Sequence, residues 1–237
     1  TNSTLTAFIR GVGQQDPLAG FEPGVALYID DVYMARPQGA LLDVYDVERV
    51  EILRGPQGTL YGRNAVGGAI KYVTKKLAAE PSLDLRFSAG SYNQLDAVAK
   101  ASLPLTSTVR LGLAAASLNR DGYGKNLTTG RDNYNKKVKA LRGTLEITPS
   151  ESLFIRIAGD YSVDDSNPVA GWRPYPGARS GTPVTDSVYD TYAGAAINAS
   201  TAGIDGRNKV EAGGVYGLIE LKASDAVTLK SITAWRK

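Results

Sequence analysis

Neither cysteine nor histidine occurs among the 237 residues. Without cysteine there is no disulfide, no thiolate zinc site and no thiol nucleophile. Without histidine the chain lacks the commonest general base and metal ligand of neutral pH. Carboxylates could still serve a hydrolase, but no paired Asp or Glu set stands in a context that suggests a cleft. The residue types therefore supply no catalytic set, no metal ligands and no cofactor, and an enzyme is not expected. No apolar run is long enough for a membrane helix, which excludes helical spans only, because a transmembrane β-strand needs about ten residues with one apolar face. Charge of one sign is not in excess either: 27 Lys and Arg against 24 Asp and Glu leave +3, too little to imply a nucleic-acid partner. Thr1, Asn2, Ser3 and Thr4 carry neither a basic start nor an apolar h-region, so the chain is expected to begin inside a domain, with any export signal upstream.

Glycine-marked turns are what the chain does have, and they concentrate between Val47 and Thr74. Val47, Val50 and Ile52 interleaved with Glu48, Arg49 and Glu51 predict a short strand that leaves a tight turn at Arg54-Gly55-Pro56, where Gly relaxes the backbone and Pro ends pairing. Further turns are expected at Gly58 and Gly62. Gly67-Gly68 then opens into Ala69-Ile70-Lys71-Tyr72-Val73-Thr74, a strand of alternating faces. A phosphate cradle fits these glycines poorly. Gly62 to Gly67 has P-loop spacing, yet Gly68-Ala69 stands where Lys and a hydroxyl residue belong, and no helix-forming segment follows.

From residue 80 onward the pattern changes to period two. Leu83, Leu85, Phe87 and Ala89 alternate with Asp84, Arg86 and Ser88; Leu153, Ile155, Ile157, Gly159, Tyr161 and Val163 alternate with Arg156, Asp160 and Ser162. Leu141, Leu145 and Ile147 likewise face away from Arg142, Thr144 and Glu146. Seven strands are expected, at about 81–90, 93–104, 107–119, 134–148, 152–163, 212–223 and 226–236. Tight connections at Pro104–Ser107, Pro149–Ser152 and Ala223–Ala226 alternate with long ones near 119–133 and 164–211. Short turns at one end and long loops at the other suit an outer-membrane barrel and not a soluble sandwich. Tyr92, Tyr123, Tyr134, Tyr161 and Trp235 lie near strand ends, where an aromatic girdle would place them.

The run Val47–Thr74 resembles the plug domain of TonB-dependent outer-membrane receptors. Upstream, Phe8-Ile9-Arg10-Gly11-Val12 and Gly24-Val25-Ala26-Leu27-Tyr28-Ile29-Asp30-Asp31-Val32-Tyr33 resemble two earlier plug signatures, in the same order. Two departures stand out: Asp31 where Gly is usual, and Lys71 where Asn is common. Asp tolerates the left-handed backbone that a turn requires, so neither departure disturbs the resemblance. The resemblance implies a plug of mixed α/β character over residues 1–76, its N-terminal part missing, followed over 80–237 by antiparallel transmembrane β-barrel strands. It implies about seven of twenty-two strands, an incomplete barrel, since an unpaired strand edge finds no partner in hydrocarbon. A small barrel closed by several copies is the alternative.

For function, the resemblance implies a multi-pass β-barrel of a Gram-negative outer membrane. Its partners would be TonB of the inner-membrane energy-coupling complex, a small-molecule ligand such as a ferric siderophore, and outer-membrane lipid and lipopolysaccharide. Saccharide or cobalamin uptake, a passive structural or adhesive barrel, and a soluble β-rich binding domain are the other readings; haem ligation through His would need residues outside these 237. Arg10, Glu48, Arg49, Glu51 and Arg54 lie on the segments where such receptors keep charges that latch plug to wall. Gly55, Pro56, Gly58, Gly62, Gly67 and Gly68 are the plug turns. Tyr33, Arg36 and Gln38 on one plug turn, Gln57, Tyr61, Arg63 and Asn64 on another, and Trp172, Arg173 and Tyr175 on the longest loop offer aromatic, guanidinium and amide groups suited to a chelate or glycan rich in oxygen acceptors.

Overall fold

The computed structural model describes residues 7–13, 23–35, 46–62, 64–167, 174–176, 183–191 and 209–237. Two sheets dominate. The first begins with a small hairpin of β1 (Phe8–Ile9) and β2 (Val12–Gly13), then continues as β3 (Val25–Ile29), β4 (Val32–Tyr33), β5 (Val47–Arg54), a four-residue helix α1 (Gly58–Tyr61) and β6 (Gly68–Thr74). Strands β3 to β6 form a four-stranded mixed sheet in the order β4-β3-β6-β5, with β3 parallel to β6 and the other pairs antiparallel. β3 is an unbroken apolar run buried on both faces, as expected of a strand covered from two sides. Helix is scarce in this unit: α1 is its single helical turn among the described residues.

The second sheet is an antiparallel meander of β7 (Ser82–Gly90), β8 (Gln94–Pro104), β9 (Val109–Arg120), β12 (Lys136–Ser150), β13 (Leu153–Asp164), β14 (Val210–Lys222) and β15 (Thr228–Arg236). A two-residue pair, β10 (Gly124–Lys125) with β11 (Asp132–Asn133), lies in the connection between β9 and β12. All seven expected strands are present, with ends within two residues of those read from alternation. The sheet is open, and β7 and β15 are its edges.

Its two faces invert the rule for a soluble sheet. Leu83, Leu85, Phe87, Leu113, Leu141, Ile157, Val215, Leu229 and Trp235 are exposed, whereas Val98, Ala116, Leu118, Val138, Ala140, Arg142, Glu146, Arg156, Ala158 and Tyr216 are buried. The large apolar side chains form an outward band, which water disfavours and lipid does not. Small and polar residues face the four-stranded sheet. There Leu27, Ile29 and Met34 pack on Val98, Ala116, Leu118, Val138 and Ala140, while Val32 packs on Ala158, Tyr216 and Leu218. The seven-stranded wall is thus seated against the plug by a thin apolar layer broken by charge.

Candidate functional site

The β3–β4 turn carries the centre of that charge. Asp30 and Asp31 both adopt positive φ, 50° and 67°, the pair of left-handed positions that a two-residue hairpin turn requires. Their side chains go different ways. Asp30 is buried and accepts hydrogen bonds from the Thr74 amide at 2.8 Å, the Thr74 hydroxyl at 2.7 Å and the Tyr216 hydroxyl at 2.7 Å. Arg142 and Arg156, projecting from the wall, each bring a guanidinium nitrogen to 3.5 Å of the same carboxylate.

Around this core the wall completes the charge balance. Asp160 lies 3.8 Å from Arg142 and accepts a two-pronged contact from Arg236 at 2.9 and 2.8 Å. Arg156 donates twice to Glu146, at 2.9 and 2.6 Å, and also to the Thr74 hydroxyl and the Lys75 carbonyl, at 3.0 and 3.1 Å. Glu146, fully buried, takes the Leu77 amide on its other oxygen at 3.0 Å. Three acids (Asp30, Glu146, Asp160) thus face three arginines (Arg142, Arg156, Arg236), with the Thr74 and Tyr216 hydroxyls hydrogen-bonded among them. Buried charge is tolerated only when it is paired and hydrogen-bonded in this way. Arg156 and Glu146 also hold the chain segment that leaves β6 for β7, and Leu77 packs over Gly112, where an added Cβ would stand 2.5 Å from its Cδ2.

Asp31 turns outward from this core. It forms an ion pair with Lys71 of the plug and another with Lys230 of β15. The two departures from the plug pattern, Asp31 and Lys71, are therefore each other's partners. Burial works against ionised Asp31, but hydrogen bonds and charge from Lys230 and Lys71 outweigh it and hold the carboxyl below its usual range. Burial likewise opposes the Lys71 ammonium, and its bond to Asp31 outweighs that and raises it.

The charges expected to latch plug to wall are placed differently. Arg10 sits at φ 52° at the tip of the β1–β2 hairpin, exposed, and not along a strand. Arg49 pairs with its strand neighbours Glu48 and Glu51, at 3.5 and 2.8 Å, on the sheet-edge strand β5. Glu51 also lies 3.8 Å from Lys71. Arg54 ends β5. Among the described residues, ion pairs that cross to the seven-stranded wall are made by Asp30, Asp31 and Asp46, the last 3.7 Å from Lys100.

The other end of the plug sheet carries residues 55–67. Gly55, at φ +86°, allows the turn after β5. Gly68 is more constrained: at φ +145°, an added Cβ would stand 2.2 Å from the Leu53 carbonyl oxygen. Pro56 follows the Gly55 turn, Gly58 opens α1, Gly62 closes it and Gly67 precedes β6. Of the expected ligand residues, Tyr33, Tyr61 and Asn64 converge. Tyr28 packs against Tyr33 and Tyr61 with centroids 5.4 and 5.2 Å away, Asn64 donates to the Tyr33 hydroxyl at 3.0 Å, and the Tyr28 hydroxyl donates to the Tyr61 carbonyl. Burial, reinforced by Tyr33 and Tyr61, pushes the Tyr28 phenol up, so it is a donor at neutral pH. Gln57 lies just before α1, and Tyr175 is exposed. Arg36, Gln38, Arg63, Trp172 and Arg173 lie outside the described residues.

A second aromatic group stands at the loop end of the wall. Tyr123 stacks on Tyr134 at 4.8 Å and meets Tyr92 and Tyr189, and the Arg120 guanidinium lies 5.1 Å over the Tyr123 ring. Tyr92, Tyr123 and Tyr134 thus pack on one another and do not form a girdle, because the β9–β12 connection folds back over the β7–β8 turn. Tyr161 and Trp235 are exposed on the outward face.

A small mixed sheet seated by buried charge against an antiparallel wall with an outward apolar band matches the plug and wall strands of TonB-dependent outer-membrane receptors. Residues 1–69 match the TonB-dependent receptor plug domain model. The chain is similar to the pesticin receptor of Yersinia pestis, 42% identical over 79 residues, which cover 32% of this chain and 11% of that protein. Two solved structures share the fold across both sheets. The ferric yersiniabactin uptake receptor of Yersinia pestis aligns over 91% of this chain and 32% of its own at a TM-score of 0.70 and 21% identity. The siderophore receptor of Acinetobacter baumannii aligns over 99% and 33% at 0.73 and 17%. This chain therefore spans about a tenth of the curated relative's length and a third of each solved chain.

Proposed function

We propose that these residues are the plug, over 1–76, and the first barrel strands, over 80–237, of a receptor that takes up a ferric siderophore across the outer membrane with energy delivered by TonB. The observation that carries this reading is the Asp30 cluster, because it joins a plug turn to three wall strands through buried charge that is stable when complete and costly when one partner leaves. Such a joint suits a two-state element, and ligand and TonB would each act by favouring one plug position over the other. The similar fold of a ferric yersiniabactin uptake receptor and a siderophore receptor favours a ferric chelate over saccharide or cobalamin. A plug filling the wall's inner face argues against a passive structural or adhesive barrel.

Ligand would arrive at the loop end. Tyr33, Tyr61 and Asn64, with Gln57, Arg36, Gln38 and Arg63 of the same plug turns and Trp172, Arg173 and Tyr175 of the loop, would meet it there. Asp30 and Asp31 lie toward the short-turn end, since Arg156 and Lys230 each follow such a turn by a few residues. Outer-membrane lipid and lipopolysaccharide would cover the apolar band. The test is uptake of iron-55 presented on a panel of siderophores by cells carrying the full-length parent, with and without TonB. TonB-dependent uptake of one chelate is expected; uptake indifferent to TonB would point to a passive pore.

A further inference from the structure

We propose that the β9–β12 connection and residues 185–191 of the β13–β14 connection form one fixed rim at the ligand entrance, a preformed contact surface and not a moving lid. The role rests on the receptor reading above. Connections between strands ordinarily hold few buried contacts and move independently. These two are joined. Asn126 and Thr191 form a parallel bridge, in which the Thr191 amide donates to the Lys125 carbonyl at 2.9 Å and the Leu127 amide to the Thr191 carbonyl at 2.8 Å. Beside it the Lys125 amide donates to the Asp190 carboxylate at 2.7 Å. Gly124 makes the approach possible, since an added Cβ would stand 2.1 Å from the Tyr189 carbonyl oxygen. Each partner is also stiffened from within. The Asn126 side chain accepts from the Thr128 and Thr129 amides at 3.0 and 3.3 Å, and the Thr185 hydroxyl lies 2.8 and 3.2 Å from the Ser187 and Asp190 carbonyls.

The joined pair has a small core of its own. Tyr123 and Tyr134 are stacked, and the Tyr189 ring stands edge-on to both, at 5.1 and 6.0 Å, an arrangement that favours the rings beyond the area they bury. The wall holds this core from three sides. At the β7–β8 turn the Asp121 amide donates to the Tyr92 carbonyl at 2.8 Å, and the Asn93 side chain to the Asp121 carboxylate at 2.6 Å. At the end of β9, Arg120 donates to the Tyr134 carbonyl at 2.7 Å. Just beyond β13, Asn167 donates from its side chain to the Asp132 carbonyl and from its backbone to the Asn135 side chain, both at 2.6 Å. A pull on either connection is therefore carried to β7, β9, β12 and β13 together. Lys125, Leu127, Val188 and Tyr189 are exposed on this rim and offer ammonium, aliphatic and phenol contacts. A surface ordered in advance binds without the entropic cost of ordering it.

The test uses the full-length parent carrying Asn126→Cys with Thr191→Cys, oxidised and reduced, with each single variant as control, and reads TonB-dependent uptake of iron-55 presented on the siderophore panel. Bridge partners lie close enough for a disulfide, and the oxidised pair is expected to take up the same siderophore at the rate of the reduced pair. Gly124→Val in the parent should part the two connections, and hydrogen exchange should then reach the Leu127 and Thr191 amides while the β12–β13 ladder stays protected. Loss of the ordered surface should weaken binding of the transported siderophore about tenfold. Uptake that falls when the disulfide forms and returns on reduction would mean that the connections must part, and overturns the proposal. So does a pair that resists oxidation, or a Gly124→Val variant that exposes both amides and binds as the parent does. Each of these leaves the receptor reading standing, whereas a parent without TonB-dependent uptake overturns that reading and this role with it.

Discussion

Asp30 and Asp31 are neighbours in one turn with opposite surroundings, and each sets a measurable property. Asp30 is buried against two guanidinium groups, so Asp30→Ala leaves Arg142 and Arg156 without their shared acid. Breaking a buried pair from one side costs about 3–5 kcal/mol, and denaturant melts of the full-length parent should show the plug transition destabilised on that scale. Asp31 is partly open, and its effect is on pH response. Its carboxyl is held low by Lys230 and Lys71, so its contribution is complete above the unfolded carboxylate pKa and is lost as pH falls through the lower folded value. Lys71, raised by Asp31, contributes below its unfolded pKa and loses that contribution only as pH rises through its higher folded value. Thermal melts from pH 7 to pH 2 should therefore show an acid loss of stability below about pH 4 that Asp31→Asn removes. Gly68→Ala would combine a left-handed backbone with a clash against the Leu53 carbonyl; about 1–3 kcal/mol from backbone strain alone is expected, read as a lowered plug melting temperature.

At the scale of elements, the strands were legible and the joint between them was not. Period-two alternation places β8 at about 93–104, and it is found at Gln94–Pro104, because side-chain direction in a strand leaves a direct trace in sequence. Alternation tells that two faces differ but not which is inside. Arg142, Glu146 and Arg156 read as an ordinary polar face, while charges on β5 were expected at the wall; pairing reverses this, with the wall's polar face turned to the plug and Arg49 satisfied within β5. The missed signal was the set of opposed charges at alternate positions of β12 and β13, facing the same way as Asp160 and in need of an acid from elsewhere. Of the proposed ligand residues, Tyr33, Tyr61 and Asn64 come together because β4 and α1 both pack beside β3, a pairing that sequence spacing does not encode. The segment from Thr74 to Leu77 makes its own prediction. Glu146→Ala should strip protection from the Leu77 amide in hydrogen exchange while the β12–β13 ladder keeps its own.

Among the described residues, two of the places where the wall grips the plug differ in kind. The segment leaving β6 is held to β9, β12 and β13 by Leu77, Glu146 and Arg156, whereas the β3–β4 turn meets β12 to β15 through Asp30 and Asp31. On the proposed two-state reading of the Asp30 joint, the second contact would open during transport while the first stays docked. The absence of cysteine from these residues makes the contrast accessible to paired cysteine substitutions. The most direct measurement is TonB-dependent uptake of ferric siderophore by the full-length parent carrying either Asp31→Cys with Lys230→Cys, bridged by a short bis-maleimide, or Leu77→Cys with Gly112→Cys, oxidised to a disulfide. The account predicts that the 31–230 bridge stops uptake while each single cysteine variant, treated alike, still transports, and that the 77–112 disulfide leaves uptake near that of the unbridged parent. Undiminished uptake through a fully bridged 31–230 pair would contradict it.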